Sequence, residues 1–184
     1  MNKTIYLFIV LTVCILDSFG QKGKTFPTLD GEVITKEEIT FPDDVKGKVT
    51  LIGMAYSKKS DELLKEWFNP VYTTFVEPPS VGFLPPDPYD INIYFIGLLK
   101  GIAKAASGKV EAKMTKNLDP KLHKHTVISQ GNLKDYKKVL GLGRKDFPYF
   151  FILDQNGKII HHTEGAYTES KMSQIKDLVD DLAY

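Results

Sequence analysis

A chain of 184 residues that is 42% hydrophobic and 11% aromatic is one domain's worth, with enough apolar material to fill an ordinary core. Its 24 Lys+Arg against 23 Asp+Glu leave a formal net charge of +1, which excludes a protein built as a whole to neutralise a nucleic-acid backbone. With Cys14 as the single cysteine, no disulfide can close within the chain.

The first stretch stands apart. Lys3 precedes an apolar run of 12 residues, Ile5 to Leu16, followed by Asp17-Ser18-Phe19-Gly20. The run falls well short of the ~20 residues a spanning helix needs, and Ser18 with Gly20 supplies the small-x-small pattern of a cleavage site. Residues 1–20 therefore read as a secretory signal peptide, with Gln21 the first residue of an exported, periplasmic or secreted form. An uncleaved anchor is the competing reading, and the length of the run argues against it. Val13 is not the small residue a lipoprotein site favours before its cysteine, and the segment has none of the arginines of a mitochondrial presequence. Cleavage removes Cys14, leaving residues 21–184 without a thiol and unable to perform thiol–disulfide chemistry.

Along the remaining chain, Phe26 to Ile34 reads as a small hairpin or extended lead with Asp30-Gly31 at its turn, and Phe41 to Lys48 as a loop. Val49 to Ala55 is almost unbroken apolar sequence, the pattern of a central strand buried on both faces. After Tyr56-Ser57-Lys58-Lys59-Ser60, the residues Leu63, Leu64, Trp67, Phe68 and Val71 recur at helical spacing, with Pro70 marking a kink or an end. Five prolines between Glu77 and Asp90 predict an exposed loop over 77–90. Ile91 to Leu99 reads as a second buried strand, and Lys100 to Leu118 as a basic helical insertion, interrupted at Gly108.

Next come a short strand at His125 to Ile128 and a short helix from Leu133 to Leu140 capped by Asn132. Asn156-Gly157 between two apolar runs predicts a hairpin turn with positive φ angles. Met172, Ile175, Leu178, Val179 and Leu182 form the apolar face of a terminal helix capped by Thr168. The order predicts an α/β fold: a mixed central sheet between helices.

Three segments carry a resemblance: Gly47 to Ile52 leading into Tyr56–Ser60, Asp146-Phe147-Pro148-Tyr149-Phe150, and Leu153 to Ile159. They resemble the thioredoxin-like superfamily, in its peroxiredoxin and thiol-disulfide-oxidoreductase branch, over most of residues 26–183. The resemblance implies a thioredoxin-like three-layer sandwich with a helical insertion and a C-terminal helix. It places Ser57 and Ser60 where that family carries its Cys-x-x-Cys pair. It also makes Pro148 a cis-proline facing that pair, with a cis bond after Phe147. A serine hydroxyl has no redox couple, so the chain is not an active thiol oxidoreductase or peroxidase. Capping of the following helix is the ordinary role for either serine. Trp67-Phe68-Asn69-Pro70 and the helical insertion are, in addition, similar to the thioredoxin-like assembly factors of mitochondrial ATP synthase, which act as chaperones.

Other constellations are weaker. His123 and His125 would share one side of an extended segment, and His161 and His162 are adjacent, yet no cysteine or carboxylate completes a metal set. Seven lysines against Glu111 and Asp119 give residues 100–125 a local charge of +5, which suits a solvated helix face better than a membrane contact. No phosphate-binding glycine loop is present. The reading is a non-catalytic binding or assembly module without cofactor or metal, holding a protein or extended peptide in a groove formed by Tyr56, Ser57, Lys58, Lys59, Ser60, Phe147 and Pro148. A non-redox enzyme reusing that groove and a scaffold for the proline-rich loop are the alternatives.

Overall fold

The computed structural model describes residues 21–80, 88–99, 112, 115–129 and 131–183. The signal peptide expected over residues 1–20 therefore lies outside the described residues, as do residues 81–87 of the expected proline-rich loop and most of the expected basic insertion, of which Thr115–Asn117 is helical. Seven strands form one sheet: β1 (Leu29–Val33), β2 (Glu38–Phe41), β3 (Thr50–Ala55), β4 (Asn92–Leu98), β5 (Thr126–Ser129), β6 (Tyr149–Leu153) and β7 (Ile159–Glu164), in the order β2-β1-β5-β4-β3-β6-β7. The β3–β4 and β4–β5 pairs are parallel and the rest antiparallel. All six residues of β3 are buried, because helices and loops cover both faces of the sheet at that point.

Strand alternation sorts the apolar side chains into two cores. Ile52, Met54, Tyr149 and Phe151 point to the side closed by Phe26, Leu29, Phe41 and the short helix α2 (Leu133–Val139). Leu51, Phe150 and Ile152 point to the other, under α1 (Lys58–Phe75) and α3 (Glu169–Ala183). This is the expected three-layer α/β arrangement. As expected, Asn132 caps α2 by accepting from the Lys134 N–H at 3.1 Å, and the Thr168 hydroxyl accepts from the Lys171 N–H at 3.3 Å at the start of α3.

Four local expectations are corrected. Asp30-Gly31 is not a turn: it lies inside β1, where a Cβ on Gly31 would come within 2.4 Å of Val127 Cγ1, so the glycine serves close packing against β5. The hairpin turns instead at Ile34 to Glu37, with Lys36 at φ 80°.

Pro70 neither ends nor breaks α1, which runs on to Phe75. Interior proline costs about 3 kcal/mol, but Val71, Tyr72 and Phe75 beyond it are buried, each contributing about 1.5–3 kcal/mol. At the Asn156-Gly157 turn only Gly157 has positive φ, 79°; the Asp154 carboxylate accepts from the N–H groups of Asn156 and Lys158, which fixes a longer turn than the two-residue type. His123 and His125 lie in a 3-10 helix, Pro120–His125, not in an extended segment; Asp119 caps it by accepting from the Lys121 N–H.

Candidate functional site

The turn between β3 and α1 is built from two serines that complete each other's backbone. Ser57 is the N-cap of α1: its Oγ accepts from the Ser60 N–H at 3.1 Å, while Ser60 Oγ accepts from the Ser57 N–H at 3.0 Å and the Tyr56 N–H at 3.2 Å. This reciprocal arrangement satisfies donors that the first helical turn otherwise leaves orphaned. The two hydroxyl oxygens lie 3.1 Å apart. Ser60 is fully buried, and the Ser57 hydroxyl donates to the Lys145 carbonyl at 2.7 Å. Among the described residues neither hydroxyl meets an imidazole or a carboxylate, so neither has a base to activate it. The capping role expected of these serines is the observed one.

The chain approaching β6 folds over this turn. Tyr56 Oη donates to the Leu142 carbonyl at 2.9 Å, and its ring stacks on Tyr149 with centroids 6.4 Å apart. The Arg144 N–H donates to Tyr149 Oη at 2.6 Å. Burial pushes both phenols above their ordinary range, Tyr149 the further, so both stay protonated at neutral pH. Lys59 approaches the Asp146 carboxylate at 3.8 Å, Lys58 approaches Glu62 at 3.9 Å, and the two ammonium groups are otherwise exposed. The Arg144 guanidinium lies 4.1 Å from the Phe147 ring and pairs with Glu164 at 2.9 Å.

The turn Tyr56–Ser60 is thus joined to the loop through Leu142, Lys145, Asp146 and Tyr149, and between these lie Phe147, half-buried against Arg144, and Pro148, buried. The expected cis bond is a correction: the one cis peptide among the described residues is Phe41–Pro42, and Phe147–Pro148 is trans. The Arg144–Phe147 turn, closed by Phe147 N–H donating to Arg144 C=O at 3.2 Å, leads into β6 with the intrinsically favoured isomer.

The sequence reading missed Leu142 and Lys145, whose carbonyls bind Tyr56 and Ser57. A main-chain acceptor carries no residue-type signal that could have revealed them.

The same turn borders a cleft of about 870 Å³ that Tyr56, Ser57 and Lys58 help to line, with Phe68, Leu98 and Leu122 as apolar walls and Asp61, Lys65 and Asp119 among its polar ones. Its carboxylates are already engaged: Asp61 pairs with Lys65 at 2.6 Å, and Asp119 accepts from the Lys121 N–H. The four histidines are not gathered at either place, and no group of three or more metal-ligating side chains occurs among the described residues. His125 bonds the Ile93 carbonyl through Nδ1 at 3.0 Å, and burial holds His125, His161 and His162 below the ordinary imidazole range.

Solved structures share this architecture at low identity. The pneumococcal exposed lipoprotein thioredoxin from Streptococcus pneumoniae aligns with a TM-score of 0.54 and 14% identity, covering 85% of this chain and 100% of that one. BsSco, a member of the Sco family of cytochrome c oxidase assembly proteins, aligns with 0.54 and 12%, covering 91% and 96%. At these identities the likeness establishes the thioredoxin-like fold. No curated protein matches the sequence. The model of the family described as ATP10 protein matches residues 20–182. That match over nearly the whole length, on a chain with this thioredoxin-like sheet, makes it a member of the ATP10 protein family.

Proposed function

We propose that the protein is a non-catalytic, chaperone-like assembly module that holds an extended segment of a protein partner beside the Tyr56–Ser60 turn and the Arg144–Pro148 loop. The observation that carries this is the pair of saturated serine hydroxyls at the head of α1: a thioredoxin-like fold whose first helical turn is closed by caps offers a surface for binding and no activated nucleophile. Membership of a family of ATP synthase assembly factors supports a protein partner in place of a small substrate. Lys58 and Lys59, 92% and 65% exposed, favour an acidic stretch, and Phe147 and Tyr56 supply half-buried apolar walls.

A Tyr56→Ala, Lys58→Glu, Lys59→Glu variant that keeps its melting temperature should recover about tenfold less of the partners that co-purify with the wild type from native cells. Equal recovery of the same partners would remove this surface from the proposal.

We propose further that residues 1–20 are a leader lost on export. The lysine before a short apolar run supports this, as does the small-x-small pattern of Ser18 and Gly20. Intact mass of the protein from its native compartment should give Gln21 as the first residue; a species retaining Cys14 would sink the idea.

A further inference from the structure

The sheet ends on β7, and among the described residues only the beginning of that strand has a main-chain neighbour on its outer side. There the strap before β1 lies antiparallel to it: Thr25 bridges Lys158, Ile159 N–H donates to the Lys24 carbonyl at 2.8 Å, and Gly23 N–H donates to the Ile159 carbonyl. The strap then turns away, with the Lys24 N–H donating to the Gln21 carbonyl at 3.2 Å and Gly23 at φ 85°. At the other end, the Gly165 N–H points inward to the Pro148 carbonyl at 2.9 Å. The two-residue alternation of an antiparallel ladder therefore commits Thr163 to β6 and leaves the main-chain groups of His162 and Glu164 facing outward. Among the described residues no main-chain group meets them.

Charge gives this edge a chemical character. The strap and the first residue of the turn-to-strand junction carry Lys22, Lys24 and Lys158, all exposed and without an ion pair among the described residues. The Lys22 charge reaches His161, which it helps hold in the neutral form after burial and His162. Glu164, the one acid on the strand, is already paired with Arg144 at 2.9 Å.

We infer that the outer edge of β7 is a second docking surface, one that takes an extended, acidic segment of a partner protein by strand addition. Main-chain bonds to His162 and Glu164 supply the pairing, and carboxylates along the segment meet Lys22, Lys24 and Lys158. The bulge at Ile160, between Ile159 and His161, confines the pairing to the end of the strand near Pro148 and keeps the edge from templating longer associations. This edge adjoins the Arg144–Pro148 loop through Glu164 and Gly165, but the variants below leave residues 56–60 and 144–148 intact, so the two readings fail separately.

The test uses two fluorescein-labelled eight-residue peptides, one alternating threonine with glutamate and one alternating threonine with lysine, added to the protein beginning at Gln21. The acidic peptide should bind and slow hydrogen exchange at the His162 and Glu164 amides, while the basic peptide should not. Lys22→Glu, Lys24→Glu, Lys158→Glu together should weaken the acidic peptide by about tenfold or more, with a weaker dependence on salt. His162→Pro removes an outward N–H from an edge position that accepts proline, and should have a similar effect in a variant that still melts cooperatively. Equal binding of the two peptides, unchanged binding by the charge-reversal variant, or no acidic-peptide binding at about millimolar concentration would overturn the inference. So would a concentration-dependent dimer in which the His162 and Glu164 amides are protected without any peptide.

Discussion

Oxidised under mild conditions, a Ser57→Cys, Ser60→Cys double variant should form an internal disulfide in nearly every molecule and stop reacting with alkylating reagents. The wild-type oxygens are 3.1 Å apart, and both side chains already face each other across the first turn of α1. Residues three apart on a helical turn have Cα atoms about 5–6 Å apart, inside the window a disulfide requires. The helix N-terminus lowers the pKa of a thiol placed there, which helps the exchange. The variant gives up the caps, at about 1 kcal/mol each, and the Ser57 bond to Lys145 C=O, so its reduced form should melt lower than the wild type. Mass spectrometry after alkylation, with and without reductant, checks the result. Thiols that stay free through prolonged oxidation would show that the turn does not hold the two positions together.

The largest single loss of stability is expected at Trp67. It is fully buried, packs on Phe150 with ring centroids 4.2 Å apart and on Tyr167 at 5.3 Å, and donates Nε1–H to the Gly165 carbonyl at 3.3 Å. One side chain thus ties α1, β6 and the loop between β7 and α3 together. Trp67→Ala should lower the unfolding free energy by about 3–5 kcal/mol, a large share of the roughly 5–15 kcal/mol of an ordinary domain. Urea unfolding followed by circular dichroism measures it. Trp67→Phe keeps most of the packing and loses the bond to Gly165, so it should cost distinctly less; equal losses for the two would show that the hydrogen bond, not the packing, dominates.

The elements legible in the sequence were those whose signal is local. The almost unbroken apolar run Val49–Ala55 reads as an inner strand, and Leu63, Leu64, Trp67, Phe68 and Val71 as the inner face of a helix, on which only Leu63 stays half-exposed. Thr168 and Asn132 announced their helices because a cap is a short-range device. The misreadings share one cause: a residue with a strong local habit was placed by a distant neighbour. Gly31 looked like a turn because glycine usually makes one, but β5 presses against it. Pro70 reads as a kink or an end, and the end does not occur, because the burial of Val71 and Phe75 outweighs its cost. At the candidate site, Tyr56, Ser57, Ser60 and Phe147 could be named in advance because a resemblance aligned them. Their bonds to Leu142 and Lys145 join segments far apart in the chain through carbonyls, and nothing in the side-chain alphabet records those.

The glycine at position 31 has a consequence for how this sequence can diverge. With Val127 Cγ1 only 2.4 Å from where a Cβ would stand, and the Ile128 carbonyl oxygen at 3.2 Å, positions 31 and 127 behave as a single allotment of volume shared between β1 and β5. A relative that acquires a side chain at 31 must give up side-chain bulk at 127, or let the β1–β2 hairpin swing off the sheet. The two sites should therefore drift as a linked pair while their neighbours vary independently.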